Sequence, residues 1–100
     1  MADLESKFQK EVADALEEAL PDCIIIKGNS AYRQGVPDWL VLDGEHWAAL
    51  EVKREHKAGK RPNQPYYVEK MNEMSYAAFV DPDNYQEVIG EIQSAFGRRG

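Results

Sequence analysis

The chain has 100 residues, 43% hydrophobic and 30% charged, proportions ordinary for one globular domain with a single modest core. No apolar run approaches the ~20 residues of a membrane span, and MADLESKFQKE at the start carries no signal-peptide apolar segment, so a cytoplasmic location is expected. Twelve Lys and Arg against eighteen Asp and Glu leave a net charge of −6, against the basic footprint usual for nucleic-acid binders. That charge is uneven: KREHKAGKR, Lys53 to Arg61, holds five bases and one acid, whereas EVADALEEALPD holds no base.

In chain order, Leu4, Phe8, Val12, Ala15, Leu16, Ala19 and Leu20 recur at three- and four-residue spacing and predict an amphipathic helix from Asp3 to Leu20, capped by Asp3 and ended by Pro21. CIIIK predicts a short β-branched strand, with Cys23 as a buried apolar thiol. GNSAYRQG is rich in turn formers. VPDWLVL and HWAALEVK predict two further strands joined at Asp43-Gly44, a favoured hairpin pair. A polar loop, REHKAGKRPN, leads to a helix with Pro62 in its first turn, running to about Ser75. YAAFV predicts a fourth strand. Tyr85, Val88, Ile89, Ile92 and Phe96 mark a last helix from about Pro82 to Phe96. The order α-β-β-β-α-β-α predicts an α/β domain spanning residues 1–100, a small mixed sheet with helices on its faces.

The second and third strands carry charge where core strands are apolar. Glu51 and Lys53 share one face, because side chains alternate along a strand. Whether Asp38 joins them depends on the turn, since residues directly opposite in a hairpin share a face. A two-residue loop at Asp43-Gly44 pairs Asp38 with Ala49, one diagonal step from Glu51. A four-residue loop pairs Asp38 with Glu51, and a three-residue loop sends Asp38 to the other face. Two neighbouring carboxylates repel unless a cation intervenes. Hard oxygen ligands without imidazole suit Mg²⁺ or Mn²⁺, and an adjacent ammonium can hold a phosphate oxygen or orient water. Metal-assisted phosphodiester hydrolysis needs little else. The competing reading is a surface salt bridge, weakened by Leu40, Leu42 and Ala49 on the same face, which make unpaired carboxylates costly.

The first helix supplies a separate clue. At about 100° per residue from Leu4, its apolar arc covers roughly 0° to 160°. Glu5 falls near 100° within that arc and Gln9 near 140° at its rim. Glu5 either complements the helix dipole or leans with Gln9 over the charged face of the sheet.

Taken together, these residues resemble the PD-(D/E)XK nuclease superfamily. Pro37-Asp38 and Glu51-Val52-Lys53 stand as its signature does. The likeness is closest to the small stand-alone viral and phage virus-type replication-repair nuclease (VRR-NUC) domains. It extends to Glu5 followed by Gln9, to Ser30 and Arg33 ahead of GVPD, to EVKR, to a basic Gly-containing loop and to Gln64 opening the next helix. It covers roughly residues 4 to 92. The triplet alone is weak; the ordered set is specific. The resemblance implies a restriction-endonuclease-like core and a divalent-metal DNA endonuclease. Asp38, Glu51 and the Val52 main-chain carbonyl would be ligands to Mg²⁺, with Mn²⁺ as substitute. Lys53 would act on water and phosphate, Glu5 would extend the metal site, and Gln64 would support the site or the scissile strand. Family members of this size cut branched DNA, four-way (Holliday) junctions above all, as homodimers in a bacterial or phage-infected cytoplasm. Pro65 directly after Gln64 departs from the pattern, as does the chain's acidity.

Arg54, Lys57, Lys60 and Arg61, placed after the EVK strand, become candidates for DNA-phosphate contacts, with Ser30 and Arg33. His46 and His56 read as surface residues, having no second His or Cys at metal spacing. Trp39 and Trp47 read as core. Tyr66 and Tyr67 could stack on bases, but at least one should pack. Arg98 and Arg99, in the terminal tail, support nothing firm. Three alternatives remain: a monomeric flap or single-strand-branch nuclease, a catalytically silent DNA-binding module, and an acidic protein-interaction domain.

Overall fold

The computed structural model describes residues 4–28, 36–37, 39–53 and 64–97, apart from the side chains of residues 4–6 and 64. The elements are α1 (Leu4–Ala19), β1 (Ile24–Lys27), β2 (Trp39–Asp43), β3 (His46–Val52), α2 (Gln64–Met74), β4 (Tyr76–Val80) and α3 (Tyr85–Ala95). Their order is the one the hydrophobic pattern predicts. The strands form one mixed sheet in the order β1-β2-β3-β4. β1, β2 and β3 run antiparallel to their neighbours, and β4 lies parallel to β3. The parallel step requires a crossover, and α2 supplies it.

Alternation splits β2 and β3 cleanly. Trp39, Val41, Ala48, Leu50 and Val52 point to one face, where Phe8, Val12, Leu16 and Leu20 of α1 and Val88, Ile89 and Ile92 of α3 complete the main core. Ala49 and Ala77 point to the other, under Val68 and Met71 of α2, with Leu40, Trp47 and Phe79 alongside. Phe8 meets Tyr85 edge to face, centroids 5.7 Å apart, and Gln93 Nε2 donates to the Ala19 carbonyl at 3.2 Å, so α1 and α3 lie together. On the α2 side Ile24 and Ile26 of the outer strand β1 remain 62% and 43% exposed.

Several boundaries differ from the sequence expectation; β2 begins at Trp39, not Val36, with residues 36–37 outside it. The hairpin turns at Gly44-Glu45, one residue later than Asp43-Gly44, with Asp43 paired to His46. Gly44 has φ 64° and no non-glycine residue described has positive φ. This is the pattern of a type II′ turn, which asks for Gly at its first central position, where the expected type I′ turn would need positive φ at both. The last helix begins at Tyr85, not near Pro82. Asp81, buried, accepts at Oδ1 from the N–H groups of Asp83 (2.8 Å) and Asn84 (3.0 Å), while Asn84 Oδ1 accepts from the Asp81 N–H at 2.8 Å. This reciprocal Asx turn holds residues 82–84 out of the helix.

Trp39 is fully buried as expected, but Trp47 is only half-buried at the edge of the α2 cluster. His46 is no free surface residue: it is half-buried and stacked on Phe96, centroids 5.2 Å apart. Cys23 is half-buried too, and its thiol is pushed up, chiefly by burial and then by the charge of Glu17. No helix among the described residues is long and apolar enough to cross a membrane.

Candidate active site

Glu51 and Lys53 sit at the C-terminal end of β3, where the main-chain alternation that buries Leu50 and Val52 against α1 turns them to the α2 face. Lys53 Nζ lies 3.6 Å from Glu51 Oε2, and their side chains are only 17% and 14% exposed. The structure thus brings together two of the predicted residues as a largely buried ion pair. A surface salt bridge would leave both side chains in water, and this one does not. At such burial each charge depends on the other, because either one alone would carry a desolvation penalty of several kcal/mol.

The backbone here adds an oxygen. The Lys53 N–H donates to the Val80 carbonyl at 2.7 Å, so Lys53 turns its main-chain polar groups toward β4. Val52, by alternation, turns its own toward β2. Counting on from the pair Trp39↔Leu50 sets position 37 opposite position 52. The observed ladder ends at Trp39↔Leu50, and Pro37 would have no N–H to give were it continued. A carboxylate and a main-chain carbonyl at one strand end are hard oxygen donors, the set preferred by Mg²⁺ and Mn²⁺. The residues present therefore fit such an ion. No group of three or more His, Cys, Asp or Glu gathers among the described residues.

The other predicted ligands, Asp38 and the side chain of Glu5, lie outside the described residues, as do the side chain of Gln64 and all of Ser30, Arg33, Arg54, His56, Lys57, Lys60 and Arg61. The helices themselves are placed. α2 begins beside the end of β3 that carries Glu51 and Lys53, since its far end is tied to the start of β3 by Ser75 Oγ donating to the Trp47 carbonyl at 2.5 Å. Gln64 thus opens its helix at the Glu51 end of the sheet. α1 packs on the opposite face from Glu51. Gln9 Oε1 accepts from Lys27 Nζ at 2.9 Å, and Gln9 has a further partner besides. Tyr66 is 59% exposed and Tyr67 half-buried, their rings edge to face at 5.1 Å.

Lys27 escaped the sequence reading, which saw only the end of an apolar strand. The available signal was its place: the last residue of β1, next to a loop already suspected of meeting DNA.

No family model matches the sequence, and no curated protein is significantly similar to it. A solved structure of a protein described as a VRR_NUC domain is similar in fold, with a TM-score of 0.66 and 26% sequence identity, over 92% of this chain and 97% of that one. The chain has a VRR-NUC-like fold.

Proposed function

We propose that this nuclease-like domain is a divalent-metal-dependent endonuclease that hydrolyses phosphodiester bonds in branched DNA, four-way junctions above all, as a homodimer. One observation carries the reading: on a VRR-NUC-like fold, Glu51 and Lys53 form a largely buried pair just beyond the last β2–β3 rung, Trp39↔Leu50. The proposal seats Asp38, the residue before Trp39, across from Glu51. Asp38, Glu51, the Val52 carbonyl and Glu5 would hold Mg²⁺, with Mn²⁺ as substitute. Bound there, the ion supplies Lewis-acid polarisation of the phosphodiester and an acidified water.

The chain's own residues do the rest. Lys53 holds a phosphate oxygen and orients the attacking water through its ammonium hydrogens, and Glu51 keeps that ammonium in place. Gln64, at the start of α2, supports the site or the strand being cut. Arg54, Lys57, Lys60, Arg61, Ser30 and Arg33 meet backbone phosphates, which position a duplex without reading its sequence. Two-fold symmetry brings two such sites to the two strands of a junction.

The test compares a four-way junction, a flap, a plain duplex and a single strand in Mg²⁺, with mass measured in solution. Paired cuts in the junction by a dimer support the proposal. Cleavage of flaps by a monomer would replace it with the branch-nuclease reading. Salt-dependent binding without cleavage in any divalent ion would make the chain a silent binding module.

A further inference from the structure

We infer that Lys27 is a DNA-phosphate contact, held in place by Gln9 and Trp39 at the same end of the sheet as Glu51; the inference rests on the endonuclease reading and assigns it one more phosphate-binding residue. The register puts Lys27 beside Trp39 and Trp39 beside Leu50, the residue before Glu51. At about 4.8 Å per strand, the Lys27 backbone is about 10 Å from that of Leu50. That is on the order of three nucleotides at 3.4 Å of rise per strand. Lys27 belongs to the Trp39 side of the sheet and Glu51 to the α2 side, so a backbone touching both crosses the end of the sheet rather than lying on either face.

The Lys27 ammonium has two contacts. It donates to Gln9 Oε1 at 2.9 Å and lies 5.3 Å from the centroid of the Trp39 ring, within cation–π range. Both partners are uncharged. The two other described lysines with ion pairs are spent otherwise: Lys10 on Asp14 at 3.0 Å and Lys53 on Glu51 at 3.6 Å. Lys27 is therefore ordered, which removes much of the entropy cost of fixing a lysine, without being neutralised. Of its three N–H donors one is used among the described residues, which leaves two for a phosphate. In a chain of net charge −6, an exposed cation held by neutral groups beside a carboxylate site suits an anionic ligand. Gln9 acts through Lys27 as a positioning residue.

The experiment measures binding of a labelled four-way junction in metal-free buffer from about 50 to 200 mM salt, and steady-state cleavage in Mg²⁺. Each phosphate contact contributes roughly 0.9 to the log–log salt slope, or about a 3.5-fold change in affinity over that fourfold salt range. Lys27→Met should lower the salt sensitivity by that factor and raise KM more than it lowers kcat, while Lys27→Arg keeps the wild-type slope. Lys10→Met, the matched surface change, should leave the slope as it is. Gln9→Leu should weaken binding in the wild-type background and add nothing to Lys27→Met. Melting temperatures separate these effects from loss of the Trp39 contact. If the wild type binds and cuts but Lys27→Met keeps its slope and KM, the inference falls alone. A Gln9→Leu effect of equal size in both backgrounds overturns the holding role. A wild type that binds no DNA overturns the endonuclease reading and this inference with it.

Discussion

Glu51 meets two opposing demands in the proposed site: it would keep its charge for an ion, and it is already the counter-charge of Lys53 at 3.6 Å in a site mostly closed to water. Carboxylate repulsion alone predicts that neutralising an acid here stabilises the metal-free chain. The ion pair reverses that for Glu51. Glu51→Gln should abolish Mg²⁺-dependent cleavage and also lower stability by about 1–3 kcal/mol, because a largely buried ammonium loses this counter-charge. Thermal melts without metal and junction cleavage check both halves. Asp38→Asn should abolish cleavage while stability holds or rises. Retention of more than a few per cent of activity by either variant would remove that residue from the proposed metal site. Glu5 separates a site residue from ordinary helix chemistry. If it belongs to the site, Glu5→Gln should cut cleavage by orders of magnitude and move the metal requirement to higher concentration. If it only complements the helix dipole, the cost is ~0.3–1 kcal/mol of stability and no activity. Glu17→Gln, exposed on the same helix, is the control.

At the scale of elements, the loop between β3 and α2 carries Lys57, Lys60 and Arg61. Replacing all three with Ala should flatten the salt slope of DNA binding by roughly 0.9 per lost contact, and an unchanged slope would make the loop plain solvated surface. The joint between β4 and α3 has a different chemistry. The Tyr76 hydroxyl donates to Glu91 Oε1, and its ionisation is pushed well above the usual tyrosine range, first by burial and then by that hydrogen bond. Unfolded tyrosine ionises near ~10, so above that pH the unfolded chain releases a proton that folded Tyr76 retains. The stabilisation is complete below ~10 and is lost as pH rises through the folded value. Tyr76→Phe should cost about 1 kcal/mol at neutral pH and make the alkaline fall in stability shallower, as denaturant titrations near about pH 8 and about pH 10.5 would show.

For the whole molecule, the proposed junction cleavage requires two sites, so the active species should have a mass near 23 kDa, about twice the 11.4 kDa of one chain, by sedimentation or light scattering. Dilution below the dimer's dissociation constant should then reduce paired cleavage before single nicks. A chain that remains near 11 kDa while cutting junctions symmetrically would leave the two-fold argument without support.

What the sequence determined by itself is the set and order of elements, because three- and two-residue periodicities and the Pro21 and Gly44 punctuation are local properties. The shared face of Glu51 and Lys53 was legible for the same reason. Position 43–45 shows the limit: Asp-Gly and Gly-Glu are both sound turn pairs, and only the pairing of whole strands chose the second, which moves the register by two and keeps the same faces. The contacts of Lys27 with Gln9, 18 positions away, and with the Trp39 ring join residues distant in the chain. No periodicity encodes them. They exist because the end of β1, the start of β2 and the end of β3 meet at one rim and helix layers cover opposite faces, and only the tertiary structure decides that.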